Sequence, residues 1–351
     1  MTLPRHLSPI ISVLMVARNA ARFIDAALRS ARAQTLRQIE IVVVDDGSID
    51  ETASIVRSHA KVDGRVRLVA GPSRGLGAVR NVSIASARGR FAAVLDADDL
   101  LHPDHLEALL ALQAATGAAI CASNMVAFSQ AARGITASAF AAGQEWQCRR
   151  EIALDEYIRC GMIGTRNVSL GYLKPLFDMR FLRDFNIAYD ERLRVGEDFD
   201  LVLRAMLAGG RFHFSPQTTY YYRRHAQSTS HRLAQSDLRG LMAAARDYML
   251  HRPDLGLLLG GRIDNLEGAR RQIGALEALR AGRMLTALRC VGRHPGARDL
   301  LLSSLRESCL KRLGLWDDGD RNAADRAGCP AVPGNHLTAL RRLLQPAPSP
   351  F

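Results

Sequence analysis

Three carboxylates, Asp96, Asp98 and Asp99, stand within four residues in the stretch RGRFAAVLDADDLLHP, directly after a short apolar run. Left alone they repel one another. A solvated acidic turn ahead of a helix N-terminus is the plainest account of them. The chemical account is that Asp96 and Asp98 share one side of an extended segment, an arrangement that grips a divalent cation through oxygen ligands. A Mg2+ or Mn2+ ion held there would bridge to a substrate diphosphate, because such ions bind through one or two carboxylates plus phosphate oxygens.

Other polar clusters also follow apolar runs. In VVVDDGSIDET, Ser48 and Glu51 have the spacing of a capping box, which explains Ser48, Asp50 and Glu51 as a helix start. It does not explain Asp45, which a base or sugar ring could use as a hydrogen-bond acceptor. GPSRGLGAVRN carries Arg74 and Arg80. They fit phosphate neutralisation better, although either could be an ordinary helix-surface arginine. Its GxG is not a dinucleotide fingerprint, which belongs to an opening βα turn rather than to a third one. Glu197 and Asp198 open a helix after Gly196. They either complement its dipole or supply a general base that takes a proton from an acceptor hydroxyl.

The elements that must position these groups alternate. IISVLMV and IEIVVV are near-continuous apolar runs, the pattern of strands buried on both faces of a parallel sheet. RVRLVA, RFAAVL and AAICAS supply three more, with helices expected near residues 21–33, 50–60, 76–87 and 103–115, the last with Pro103 in its first position. This predicts a doubly wound α/β domain with ligands beyond the carboxyl ends of its strands. Residues 126–165 read as an irregular connection, TTYYYRR as a late strand, and the chain beyond about residue 235 as helical. Three regions follow: a catalytic domain over 1–234, a basic helical region over 235–315, and a mobile tail with a short helix over 316–351.

Bulk composition narrows the partners. The 351 residues are 48% hydrophobic, enough for a substantial core, and carry a net charge of +12. Lysine occurs only at 61, 174 and 311, so the positive charge is almost all arginine. Residues 262–312 hold eleven Arg or Lys against five Asp or Glu, about half of the excess. An anionic partner is expected, and an anionic membrane surface suits these helices. Nucleic acid is not expected, since no aromatic-rich basic strand accompanies the charge. The six cysteines show neither CxxC nor Cys/His ligand spacing and read as reduced thiols. No run is long enough to span a bilayer, and the apolar start lacks a cleavage site. The expected location is the cytoplasm or, peripherally, the inner face of the plasma membrane.

SVLMVARN, VVVDDGSIDET, GAVRN, VLDADD and VGEDFDLVLRA together resemble, in order and spacing, family 2 glycosyltransferases with the GT-A nucleotide-sugar-binding fold. The resemblance covers roughly residues 8–232, and GYLKPLFDMRFLRDFNIAYDERLRVGED looks most like the bacterial exopolysaccharide enzymes. It implies that Asp45, or Asp46 in its place, reads a uracil ring. Asp96 would contact ribose and Asp98 the metal within a DxD element that includes Ala97, and Glu197 and Asp198 would form the catalytic acidic pair. YYYRRHAQSTSHR resembles the segment closing the domain, which would set Arg223, His225 and Ser228 near the diphosphate. A structural role for His225 stays open. Where many relatives have Pro and Tyr before Asn19, this chain has Ala17 and Arg18, so a guanidinium would stack on the base. A missing QxxRW element argues against a processive synthase.

The expected activity is an inverting, metal-dependent hexosyltransferase. It would move one sugar from a nucleotide sugar, such as UDP-glucose, to a lipid-linked or soluble saccharide acceptor. A nucleotidyltransferase, or a nucleotide-binding protein without catalysis, is the alternative on the same fold.

Overall fold

A computed structural model describes residues 8–131, 134–165, 167–225, 233–312 and 334–345. The first apolar runs form β1 (Ile11–Ala17), β2 (Ile39–Asp45), β3 (Val66–Ala70) and β4 (Phe91–Val94), parallel in the order β3-β2-β1-β4. Helices α1 (Ile24–Arg32), α2 (Thr52–Val62) and α3 (Leu76–Ser86) connect them and add Leu28, Val56 and Val79 to the main core. The chain continues through β5 (Leu100–Leu101), α4 (His105–Thr116), β6 (Ile120–Ala131), β7 (Gly134–Ala139), β8 (Arg150–Ile152) and α5 (Leu154–Cys160). It then forms β9 (Leu176–Asp178), α6 (Met179–Asp184), α7 (Glu197–Leu207) and β10 (Phe212–Arg223).

The expected α/β sheet is present, and its second half is mixed. Strand β9 pairs antiparallel with both β4 and β6, whereas β6 and β10 pair in parallel. Strands β7 and β8 attach to β6 and β10. Residues 126–165 are therefore not a mere connection: β6 and β7 pair from Val126↔Ala139 to Ala131↔Gly134. Their small and polar residues hide the alternation that usually marks a strand.

Register sets the ligand-facing edge. Ala17 pairs with Asp45 and Asp45 with Ala70, so three strands end level. The antiparallel pairing of Tyr220 and Tyr221 with Leu101 and Leu100 then carries the end of β10 back to the acidic turn after β4.

Beyond the sheet lie α8 (Gln235–His251), α9 (Gly256–Arg280), α10 (Met284–Val291) and α11 (Pro295–Arg312). The other three pack on α9, which at 25 residues is about 37 Å long. A small core of Leu238, Leu241, Met242 and Leu266 takes in Leu193 from the segment before α7. Arg262 anchors α9, donating to the Gly161 carbonyl at 2.8 Å with its guanidinium 4.0 Å from the Phe199 ring centroid. Most of the expected mobile tail lies outside the described residues. Within it Gly334–Leu344 is a seated helix, with Leu340 buried against Leu100, Val126, Phe128 and Tyr221.

Candidate active site

The acidic stretch after β4 is a turn, not the extended segment that its spacing suggested: Asp99 N–H donates to the Asp96 carbonyl at 3.1 Å. Tyr220 of β10 holds this turn from below. Its hydroxyl donates to Asp99 Oδ2 at 2.7 Å and accepts from Asp96 N–H at 3.2 Å. Asp99, 1% exposed, also accepts from Arg223 N–H at 2.7 Å. Burial and the charges of Asp98 and Asp96 drive its carboxyl well above the usual range, against the pull of those two donors. Asp99 is thereby a buried strut. Asp98 is more open, and its Oδ2 lies 2.8 Å from His225 Nε2.

Asp96 points the other way. Lys174 Nζ lies 2.8 Å from its Oδ2, and Arg80 lies 3.3 Å from its Oδ1. Burial raises the Asp96 carboxyl, but the two cations outweigh it and bring it down to about 2. The same cations hold the other acidic pair: Asp198 Oδ2 is 3.1 Å from Lys174 and 3.3 Å from Arg80, while Tyr189 O–H donates to Asp198 Oδ1 at 3.1 Å. Glu197 Oε1 is 3.3 Å from Arg80 Nε. Two buried cations therefore face three carboxylates, and the surplus negative charge shows on Glu197. Burial and the neighbouring Asp198 charge push Glu197 up to about 7. Desolvation disfavours charged Lys174 and Arg80, yet the carboxylates around them raise both.

Local chemistry explains how the acids reach this place. Gly196 precedes α7 with φ of 80°, a left-handed conformation that favours glycine, and the helix then starts on Glu197 and Asp198 beside its dipole. Lys174 enters from the segment just before β9, whose antiparallel pairing places it next to β4.

Around β2 the arrangement departs from a capping box. The N-cap of α2 is Glu51, without a side-chain bond, and Ser48 turns back to hydrogen-bond Asp45. Ser48 Oγ also accepts from Asn19 N–H at 2.9 Å, while Asn19 Oδ1 accepts from Ile49 N–H at 2.9 Å. These bonds join the ends of β1 and β2 around a partly buried Asp45. Asp46 is buried and accepts from Ser73 N–H at 2.7 Å. A Cβ on Gly71 would lie 2.8 Å from both Asp46 Cα and Asp46 Oδ1, so only glycine fits there. Asp46 thus braces the neighbouring loop, and Asp45 is the freer acceptor. Ala17 is buried at the end of β1, and Arg18 is exposed, 4.0 Å from Asp46.

The remaining expected residues divide. Arg80 is committed to carboxylates instead of a phosphate, and Arg74 stands at the surface, 3.8 Å from Glu191. Arg223 is buried between Phe128 and Phe23, with Nε donating to the Asp98 carbonyl at 2.7 Å, so it supports the turn. Ala97 sits within that turn, nearly buried. Ser228 lies outside the described residues. Lys174, Tyr189 and Tyr220 were missed from the sequence. The one available signal was that Lys174 is among only three lysines in an arginine-rich chain.

Carboxylate oxygens of Asp96, Asp98 and Asp99 all lie within 4.8 Å of one another, a donor set that fits a hard divalent cation. Since Asp96 is held by Lys174 and Arg80 and Asp99 by Tyr220 and Arg223, Asp98 is the carboxylate best able to bind one. Among the described residues no helix is long and apolar enough to cross a membrane.

Residues 12–167 match the family described as Glycosyl transferase family 2. The succinoglycan biosynthesis protein ExoO of Rhizobium meliloti is 35% identical over 242 residues, 69% of this chain and 68% of that protein. ExoU of the same organism, also a succinoglycan biosynthesis protein, is 36% identical over 245 residues, 67% of this chain and 68% of its own. Among solved structures, S. aureus TarS in complex with UDP-GlcNAc aligns with a TM-score of 0.56 at 19% identity, over 80% of this chain and 90% of that one. The mannosyltransferase PcManGT from Pyrobaculum calidifontis, in complex with GDP-Man and Mn2+, aligns with a TM-score of 0.54 at 16% identity, over 96% and 87%.

Proposed function

The chain belongs to glycosyl transferase family 2, and from that premise we propose that it moves one hexose from a UDP-sugar to a saccharide acceptor in exopolysaccharide synthesis, with inversion at the anomeric carbon. The observation that carries this reading is the joining of two acidic groups, Asp96 of the turn and Asp198 of α7, by Lys174 at 2.8 and 3.1 Å. Donor-side and acceptor-side carboxylates thereby share one cation.

Asp45 accepts a hydrogen bond from the base, and Asp96 from the ribose. Asp198 takes the proton from the acceptor hydroxyl as the acceptor oxygen attacks the anomeric carbon opposite the leaving UDP. Asp98 would hold a divalent cation, Mn2+ or Mg2+, which neutralises charge on the departing diphosphate. His225 orients Asp98, and Tyr189 orients Asp198. The two succinoglycan relatives support exopolysaccharide synthesis, and the two solved neighbours, described with UDP-GlcNAc and GDP-Man, support a nucleotide-sugar donor. The acceptor is a saccharide carried on a membrane lipid diphosphate, met at the inner face of the plasma membrane.

A donor screen tests this reading: nucleotide release from several UDP- and GDP-sugars, with and without Mn2+, in the wild type and in Asp98→Asn and Asp198→Asn. We expect metal-stimulated UDP release that Asp98→Asn abolishes. In Asp198→Asn transfer should fall by about 100- to 10,000-fold while donor binding persists. Metal-stimulated release that survives in Asp98→Asn would refute the metal assignment.

A further inference from the structure

From Ala278 to Arg298 the chain carries Arg280, Arg283, Arg289, Arg293 and Arg298 and no Asp or Glu. All five arginines are exposed, and among the described residues none forms an ion pair. Helix α10 lies in the middle of this segment. It buries Ala287 and Val291 with Ala275 and Ala278 of α9, while Met284, Leu285 and Leu288 face outward at 62%, 72% and 64% exposure. Three large apolar side chains stand exposed on one short helix that carries Arg289 and is flanked in the chain by the other four arginines, an amphipathic surface whose apolar part is uncovered among the described residues.

We infer that this corner between α9 and α10 docks on an anionic lipid surface, with Met284, Leu285 and Leu288 entering the headgroup layer and the arginines meeting lipid phosphates. Arginine suits the role because its aliphatic stem tolerates the interface while the guanidinium pairs with phosphate. Charge disfavours a second copy of the chain as the occupant, since a two-fold contact would bring the same arginines against one another. The exposed leucines have no use against a nucleic acid backbone. The inference concerns a surface apart from the candidate active site and does not rest on the donor or acceptor proposed above.

The test is co-sedimentation of the full-length protein with vesicles of phosphatidylcholine, alone or mixed with phosphatidylglycerol, at low and high salt. Binding should require phosphatidylglycerol and weaken with salt. R283Q/R289Q/R293Q should lower the partition coefficient by roughly fivefold per arginine removed. L285Q/L288Q should lower it by roughly tenfold, and neither variant should alter turnover with a soluble acceptor. The inference is overturned by absence of binding to anionic vesicles at low salt, or by wild-type binding in the arginine variant. Loss in the arginine variant alone would overturn insertion of the leucines. A lipid-free dimer that L285Q/L288Q dissociates would assign the surface to a second copy instead.

Discussion

The Lys174 ammonium lies 3.1 Å from the Asp198 carboxylate, and Lys174 is almost fully buried. Because the same ammonium also holds Asp96, the proposed base and the proposed ribose contact share one fixed cation. The geometry of one cannot change without the other responding.

Removing that cation should be costly. Lys174→Met leaves the partly buried Asp96 and Asp198 with Arg80 as their remaining cation, and breaking a buried ion pair in this way costs about 3–5 kcal/mol. Urea unfolding should show a loss of that size, and kcat should fall with it. Adding Asp96→Asn should recover part of the stability and none of the activity. Unchanged stability in Lys174→Met would show that the ion pairs contribute nothing net.

Glu197 predicts a dependence on pH. Its folded carboxyl is raised from 4.5 to about 7 by burial and by Asp198. Between those values the folded chain keeps a proton that the unfolded chain has released, so this group's contribution to stability falls as pH rises from 4.5 to 7 and levels off above. Glu197→Gln should flatten that part of the curve when urea midpoints are measured across the range. The wild-type kcat should also show an inflection near 7 that the variant lacks. An unaltered slope in the variant would assign the titration elsewhere.

Tyr220 is predicted to matter without touching substrate. Tyr220→Phe removes the O–H donor to Asp99 and the acceptor for Asp96 N–H. Leaving buried polar groups unpaired costs about 1–3 kcal/mol each. The loosened turn should also weaken Mn2+ binding in calorimetric titration, as Asp98 belongs to the same turn. Wild-type Mn2+ affinity in the variant would confine Tyr220 to a stability role.

The fold and the site were legible to different depths. The parallel first half showed through because strands buried on both faces are long apolar runs, as Ile11–Ala17 and Ile39–Asp45 are. Strand β9 was missed because three residues, Leu176–Asp178, are too few to display a period. The sequence puts Pro103 in the first position of a helix, whereas α4 starts at His105 and Pro103 lies in the turn before it, its carbonyl accepting from Thr35 N–H at 2.9 Å. Ser48 fitted a capping box, but its hydroxyl found a partner in Asp45 instead.

What the sequence by itself determined were the acids: Asp45, the Asp96–Asp99 turn, and the Glu197–Asp198 pair. Each lies at the end of a strand or the start of a helix, and such local contexts are written in neighbouring residues. Only the tertiary structure decided what surrounds them. Arg80 lies 118 positions from Asp198 and Arg223 124 positions from Asp99. Contacts of that range arise from strand pairing and burial, which no spacing encodes. In the sequence an arginine on a helix signals only its charge, which fits Arg80 to a phosphate. The fold buries it among three carboxylates, where desolvation and Coulomb attraction commit it to them.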